Sequence, residues 1–302
     1  MKNVKIALFL FVAALATGSS SKEMTLDMII AEGATLEKLA DGFQFTEGPT
    51  ADKNGNVYFT DQPNDRIMVW KTTGVLETFM QPSGRADGML FDKKGNLWVA
   101  ADEKMEFWMI APDKSVTKYP FTYNGKPLNG PNDLWIASDG GIYFTDPFYK
   151  RPYWEHSEMP QEVQGVFYIK PDLKTIIRVD DELVQPNGIV GSPDGKTLYV
   201  ADIRDRKTYK YSIRKDGLLE NKTLFCELGS DGMTLDSKGN VYLTGRGGVT
   251  IFDKNGKEVG SIPVPVGSAA NVCFGDKDMK SLYITARTDL YKIRLKIKGN
   301  RM

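Results

Sequence analysis

The chain has 302 residues, with 39 Lys and Arg set against 39 Asp and Glu, and a single His. That balance argues against nucleic acid or an anionic membrane surface as the main partner. Two cysteines, Cys226 and Cys273, leave open one disulfide or two buried thiols, and no larger cross-linked framework.

Met1 to Ser21 reads as an export signal. Lys2 and Lys5 precede an apolar run from Ile6 to Ala16, and Ala16-Thr17-Gly18 offers a small-x-small cleavage site. The run is too short to span a bilayer comfortably, so a periplasmic or secreted protein is expected, with no other membrane attachment. Thr25 to Leu39 carries a weak helical pattern, expected to cover an end or side of the molecule.

From Glu47 onward one phrase recurs six times: an acid or amide, a short apolar segment, a turn with Asp or Gly, then an alternating strand. Glu47, Asp87, Asn132, Asn187, Asp231 and Asn271 open the copies. Val57, Leu97, Ile142, Leu198, Val241 and Leu282 begin the second strand ten or eleven residues later, and successive copies lie 40 to 56 residues apart. A period of roughly 40–45 residues with several strands per repeat is the signature of a propeller blade. Six copies predict an all-β, six-bladed β-propeller forming a single domain over 22–302. Asp-Gly, Asn-Gly and Lys-Gly pairs are placed as hairpin turns between first and second strands. Ring closure is expected from one terminus completing a blade begun at the other, without indicating which.

The longest interval falls between the third and fourth copies. Its surplus, Pro147 to Gly165, is aromatic, proline-containing and without period, and it holds the only histidine, His156, beside Tyr149, Tyr153 and Trp154. Such a stretch is either a lid over a site or a passive surface loop. Tyr149, Trp154 and His156 are candidate substrate contacts, together with Asn132, Asp133 and Asp87.

Equivalent positions on six inner strands form a ring around the channel. Every member of this ring carries a side-chain carbonyl or carboxylate oxygen, and converging acids lose hydration and repel. A hard cation cures both, and oxygen-only ligands with amides among them suit Ca²⁺, or Mg²⁺ or Mn²⁺ with more water. The chain has no His or Cys cluster of the kind zinc prefers. Turn chemistry alone also accounts for repeated Asp-Gly and Asn-Gly, although Glu47 is a poor turn residue. Asp61, Asp102, Asp146 and Asp202, which close second strands, read as turn-stabilising acids.

Glu47-Gly48-Pro49, Gly130-Pro131-Asn132-Asp133, Pro186-Asn187-Gly188, Asp231-Gly232-Met233 and Asn271-Val272-Cys273-Phe274-Gly275 together resemble the gluconolactonase and regucalcin (senescence marker protein) family. The stretch TDPFYKRPYWEH is similar to its bacterial gluconolactonase branch. The resemblance implies a divalent metal, most often calcium, held by Glu47, Asn132, Asn187 and Asp231. It also implies hydrolysis of sugar lactones or related esters, with Asp231 as the base and Asp133 or His156 as alternatives. Asp87 and Asn271 would then be supporting residues. Some relatives bind substrate with an Arg two residues before the first Asn, where this chain has Gly130. No Gly-x-Ser-x-Gly elbow points to a serine hydrolase. A monomer acting on a small molecule is expected. A scaffold or partner-binding propeller with a structural ion, and a hydrolase of phosphoesters or organophosphates, stay open as other classes.

Overall fold

A computed structural model describes residues 23–300. The expected export signal lies outside the described residues. Six antiparallel sheets follow one another along the chain, at 46–80, 86–119, 134–180, 186–226, 233–268 and 271–294. Within each of these ranges neighbouring strands are consecutive in sequence, so each is one blade of the predicted propeller. The fifth blade has three strands, and its middle strand, Val241–Phe252, is twelve residues long. A separate hairpin, Thr122–Tyr123 with Lys126–Pro127, precedes the third blade.

The N-terminal segment closes the ring. Strand Glu37–Ala40 pairs antiparallel with Asp289–Arg294 and becomes the outermost strand of the sixth blade. The helical expectation for Thr25 to Leu39 is corrected accordingly, because the helix is confined to Leu26–Ile29. Ile30 bridges to Leu295, Gly33 turns the chain at φ 69°, and the rest joins the sheet. The backbone groups along the outer edge of Asp289–Arg294 need partners, and ladder bonds outweigh a weak local helix preference.

Hairpins between first and second strands fall where the turn pairs predict them. Asp52, Asp92 and Asp236 each accept the backbone amides two and four residues on, at 2.8–3.0 Å. This local bonding holds the turn before any tertiary contact is made.

The core is divided among the interfaces between blades. Trp98 and Phe107 of the second blade meet Phe144 and Phe167 of the third, all buried. Trp135, Tyr143 and Tyr168 of the third meet Ile189, Val200 and Tyr211 of the fourth. Ile29, from the short helix, is fully buried against the fifth and sixth blades. Each aromatic removed from water contributes on the order of 2–3 kcal/mol, so the blades hold one another in place. Cys226 and Cys273 are both free thiols and buried.

The glycine after the ring residue proves to be a spacer between blades. A Cβ on Gly48 would lie 2.0 Å from the Asp87 carbonyl, and one on Gly88 would lie 2.5 Å from the Asn132 carbonyl. One on Gly232 would lie 2.0 Å from the Asn271 side chain, and one on Gly188 would lie 3.0 Å from the Asp231 carbonyl. In each case the glycine makes room for the ring residue of the next blade. The acid-Gly and amide-Gly pairs therefore encode the close approach of inner strands around the axis, and the hairpin turns lie elsewhere.

Candidate active site: a polar ring beneath a loop

Glu47, Asp87, Asn187 and Asn271 are on inner strands, and Asn132 and Asp231 lie two residues before theirs. Glu47, Asp87, Asn132, Asn187 and Asn271 are buried, and Asp231 is half-buried. The two amides of the expected ligand set are oriented by carboxylates. Asn132 donates Nδ2 to Asp87 Oδ2 at 3.0 Å, and Asn187 donates Nδ2 to Asp231 Oδ1 at 2.8 Å. Anchoring the NH₂ groups turns both carbonyl oxygens away from them. Asn187, 1% exposed, is left with a buried Oδ1 that has no hydrogen-bond partner. A buried orphan acceptor is costly unless something absent from the chain binds it.

Glu47 and Asp231 lie within hydrogen-bond reach of one another, and the Gly48 amide donates to Glu47 Oε2 at 2.9 Å. Burial, then the charges of Asp231 and Asp87, holds the Glu47 carboxyl well above the usual carboxylate range. Burial pushes Asp231 up to about 6, opposed by the Asn187 hydrogen bond and the Arg151 charge. Two acids and two amide oxygens, short of positive charge and with one acceptor unsatisfied, fit a hard divalent cation. Among the described residues no group of three or more His, Cys, Asp or Glu could hold a metal, so amide oxygens are needed to complete the set.

Asn271 and Asp133 are struts of the ring. Asn271 Oδ1 accepts the Val272 amide at 2.7 Å, and its side chain also bonds Asp133. The Asp133 carboxylate additionally accepts the Leu134 and Ile189 amides, and burial raises it to about 7. The Asp133 carboxylate is thus anchored to the backbone of its own strand. A cavity of about 540 Å³ opens at the hairpin end of the inner strands, lined in part by Thr50, Met89, Leu134, Met233 and Val272. The cavity reaches the ring at Gly48, Asp133 and Asn271, whereas no residue of the 147–164 loop lines it.

The loop lies on the ring. Tyr149 accepts Asn187 Nδ2 at its hydroxyl at 2.6 Å, and burial beside Asp231 drives that phenol upward. Arg151 bonds Asp87 Oδ2 at 3.0 Å and Asp102 Oδ2 at 2.9 Å. Tyr153 donates to Asp102 Oδ2, and Trp154 Nε1 donates to the Asp102 carbonyl at 2.9 Å. Trp154 stacks on His156 with centroids 5.0 Å apart, and Phe148 stacks on Trp154. His156 therefore packs within the loop and Trp154 anchors the loop to Asp102, whereas Tyr149 reaches the ring. His156 has no contact with the ring acids that would make it a base.

Sequence reasoning missed Arg151, Gln62 and Asp102. Gln62 Nε2 donates to Asp87 Oδ2 at 3.1 Å, from the short turn after the first blade's second strand. Asp102 is as buried as the strand-closing acids it resembles, but its carboxylate is bonded by Arg151 and Tyr153 of the loop. A lone Arg among four aromatics in an insertion was the available signal for Arg151.

Burial that raises a carboxyl favours the protonated folded state. The cation-free protein should therefore lose stability as pH rises from the ordinary carboxylate range through about 6. A divalent cation held by these acids would displace those protons, so calcium should bind more weakly at pH 5 than at pH 7.5. Calorimetric titration at both values checks this; equal affinities would show that Glu47 and Asp231 do not hold the ion.

Residues 45–288 match the family described as SMP-30/Gluconolactonase/LRE-like region. The gluconolactonase of Zymomonas mobilis is 30% identical over 304 residues, spanning 91% of this chain and 85% of its own. A solved gluconolactonase structure from Xanthomonas campestris superposes with TM-score 0.84 at 28% identity, over 89% of this chain and 92% of that one. A calcium-binding regucalcin from Agrobacterium tumefaciens has TM-score 0.73 at 17% identity over 88% and 96%, a likeness of fold alone.

Proposed function

The chain belongs to the SMP-30/gluconolactonase/LRE-like family, and from that membership and the polar ring we propose that it is a lactonase that opens sugar lactones with a divalent cation, most simply calcium, bound at the ring. The observation that carries the reading is the buried, unpartnered Asn187 Oδ1 beside the unneutralised Glu47–Asp231 pair. Glu47, Asn132, Asn187 and Asp231 would hold the cation. When bound, it supplies Lewis-acid polarisation of a carbonyl and offsets the two negative charges.

The remaining steps belong to the chain. Asp231, half-buried and raised towards neutrality, is the carboxylate able to accept a proton from the attacking water. Water oxygen bonds to the lactone carbonyl carbon as its proton moves to Asp231. The ring C–O bond then breaks, and the alkoxide takes up a proton, leaving a hydroxy acid. Tyr149 and Arg151, lying over the ring, limit bulk water at that point.

The test is lactonase activity on glucono-δ-lactone with chelator-stripped protein, then after calcium is restored. Loss on stripping and recovery on reloading are expected, with a rise in melting temperature on reloading. Activity unchanged by stripping would end the cation-dependent reading. Turnover of a phosphotriester with none of the lactone would replace it with the phosphoesterase one.

A further inference from the structure

Asp102 occupies a strand-closing position, yet its carboxylate is not used as its counterparts are. Asp61 accepts the amides of Gln44 and Phe45, Asp146 those of Asn129 and Gly130, and Asp202 those of Val184 and Gln185. Each ties down the segment entering its own blade. In the second blade Asp65 has taken that work, accepting the Ser83 and Arg85 amides at 2.9 and 2.7 Å. Asp102, 2% exposed, is released to fix Arg151 Nε and the Tyr153 hydroxyl.

This leaves one edge of the guanidinium unused. Nε and Nη2 are committed to Asp102 and Asp87, and among the described residues Nη1 has no partner and is not enclosed. Beside it, Asp87 Oδ2 collects Arg151, Asn132 and Gln62, while Asp87 Oδ1 accepts from none of the described residues. The Nη2–Oδ2 bond joins the two residues, so a donor and an acceptor without partners belong to one ion pair, which Asn132 also bonds. Neighbouring hydroxyls of a sugar ring offer the complementary pair, one accepting and one donating. A negatively charged substituent fits poorly, because two carboxylates already flank the single guanidinium.

The segment leading into the third blade has no room for a competing side chain at Gly130. A Cβ at Gly130 would lie 2.7 Å from the Trp154 ring and 3.1 Å from Asp102 Oδ1. The cation at this point comes from the loop because the loop fills the space above residue 130.

We propose that Arg151 and Asp87 form a hydroxyl-recognising subsite that selects neutral polyhydroxylated lactones, with Asp102 as the residue that positions the guanidinium. The proposal rests on the lactonase reading above. Its test is kcat/KM for glucono-δ-lactone and for unsubstituted δ-valerolactone, at saturating calcium, in wild type, Arg151→Gln, Arg151→Lys and Asp102→Asn. The ratio of the two values should fall at least roughly ten-fold in Arg151→Gln, the scale of one charged hydrogen bond. Arg151→Lys keeps the charge without the fork and should fall less. Asp102→Asn should lower the ratio mainly through a higher KM for the hydroxylated lactone. A general structural defect lowers both activities together and leaves the ratio at the wild-type value; that result, in the folded Lys and Asn variants, overturns the subsite. Wild-type protein that opens neither lactone overturns the lactonase reading and the subsite with it.

Discussion

Asp231→Asn should reduce lactone turnover at saturating calcium by roughly 10²–10⁴, the range for loss of a general base. The substitution keeps the shape and one oxygen, so Glu47, Asn132 and Asn187 still converge and calcium binding should weaken without vanishing. The Asn187 amide now faces another amide in place of a carboxylate, which removes part of what orients it. Asn187→Asp is the informative contrast, since it retains the base and adds a charge, and should spare more activity. The measurements are kcat and calcium affinity on the same preparations. An Asp231→Asn protein that binds calcium and turns over lactone near the wild-type rate would remove Asp231 from the base role.

Gly48→Ala should be the most damaging single methyl in the ring. Gly48 sits at φ 46°, where an L-residue is strained, and the new Cβ would stand 2.0 Å from the Asp87 carbonyl oxygen. Strain and overpacking together cost about 3 kcal/mol or more. Because the obstacle is backbone, relief requires the first two inner strands to separate, which displaces both Glu47 and Asp87. Thermal melting should show a fall of about 6–12 °C, and calcium titration a matching loss of affinity. A melting point within about 2 °C of wild type would show that the strands are not held at that spacing.

The propeller and its ring were legible because six copies of one phrase reported the same geometry six times. Any one of them is ambiguous: Asp87-Gly88 alone reads as a turn. What the letters could not show is the reason for the glycine, since its neighbour is the ring residue of the next blade, some forty residues on. Arg151 was harder to read for the opposite reason, having no counterpart in any other blade to compare with. Asp102 was misleading because it looks like Asp61, Asp146 and Asp202; only the location of Asp65 reveals that its duty had passed elsewhere. The stretch at 37–40 was drawn as the end of a helix because its true partner, Asp289–Arg294, lies at the far end of the chain.

That last pairing carries a consequence for the order of events during folding. Glu37 is paired with Lys292, so this strand finds its partner only after the intervening blades have been synthesised. Until then the sixth blade lacks an outer strand and the ring is an open arc, with a sticky β-edge at one end. Joining segments so distant in sequence is slow compared with forming a hairpin. The clasp should therefore be the last piece to set, and the native ring inherits a seam at its own starting point.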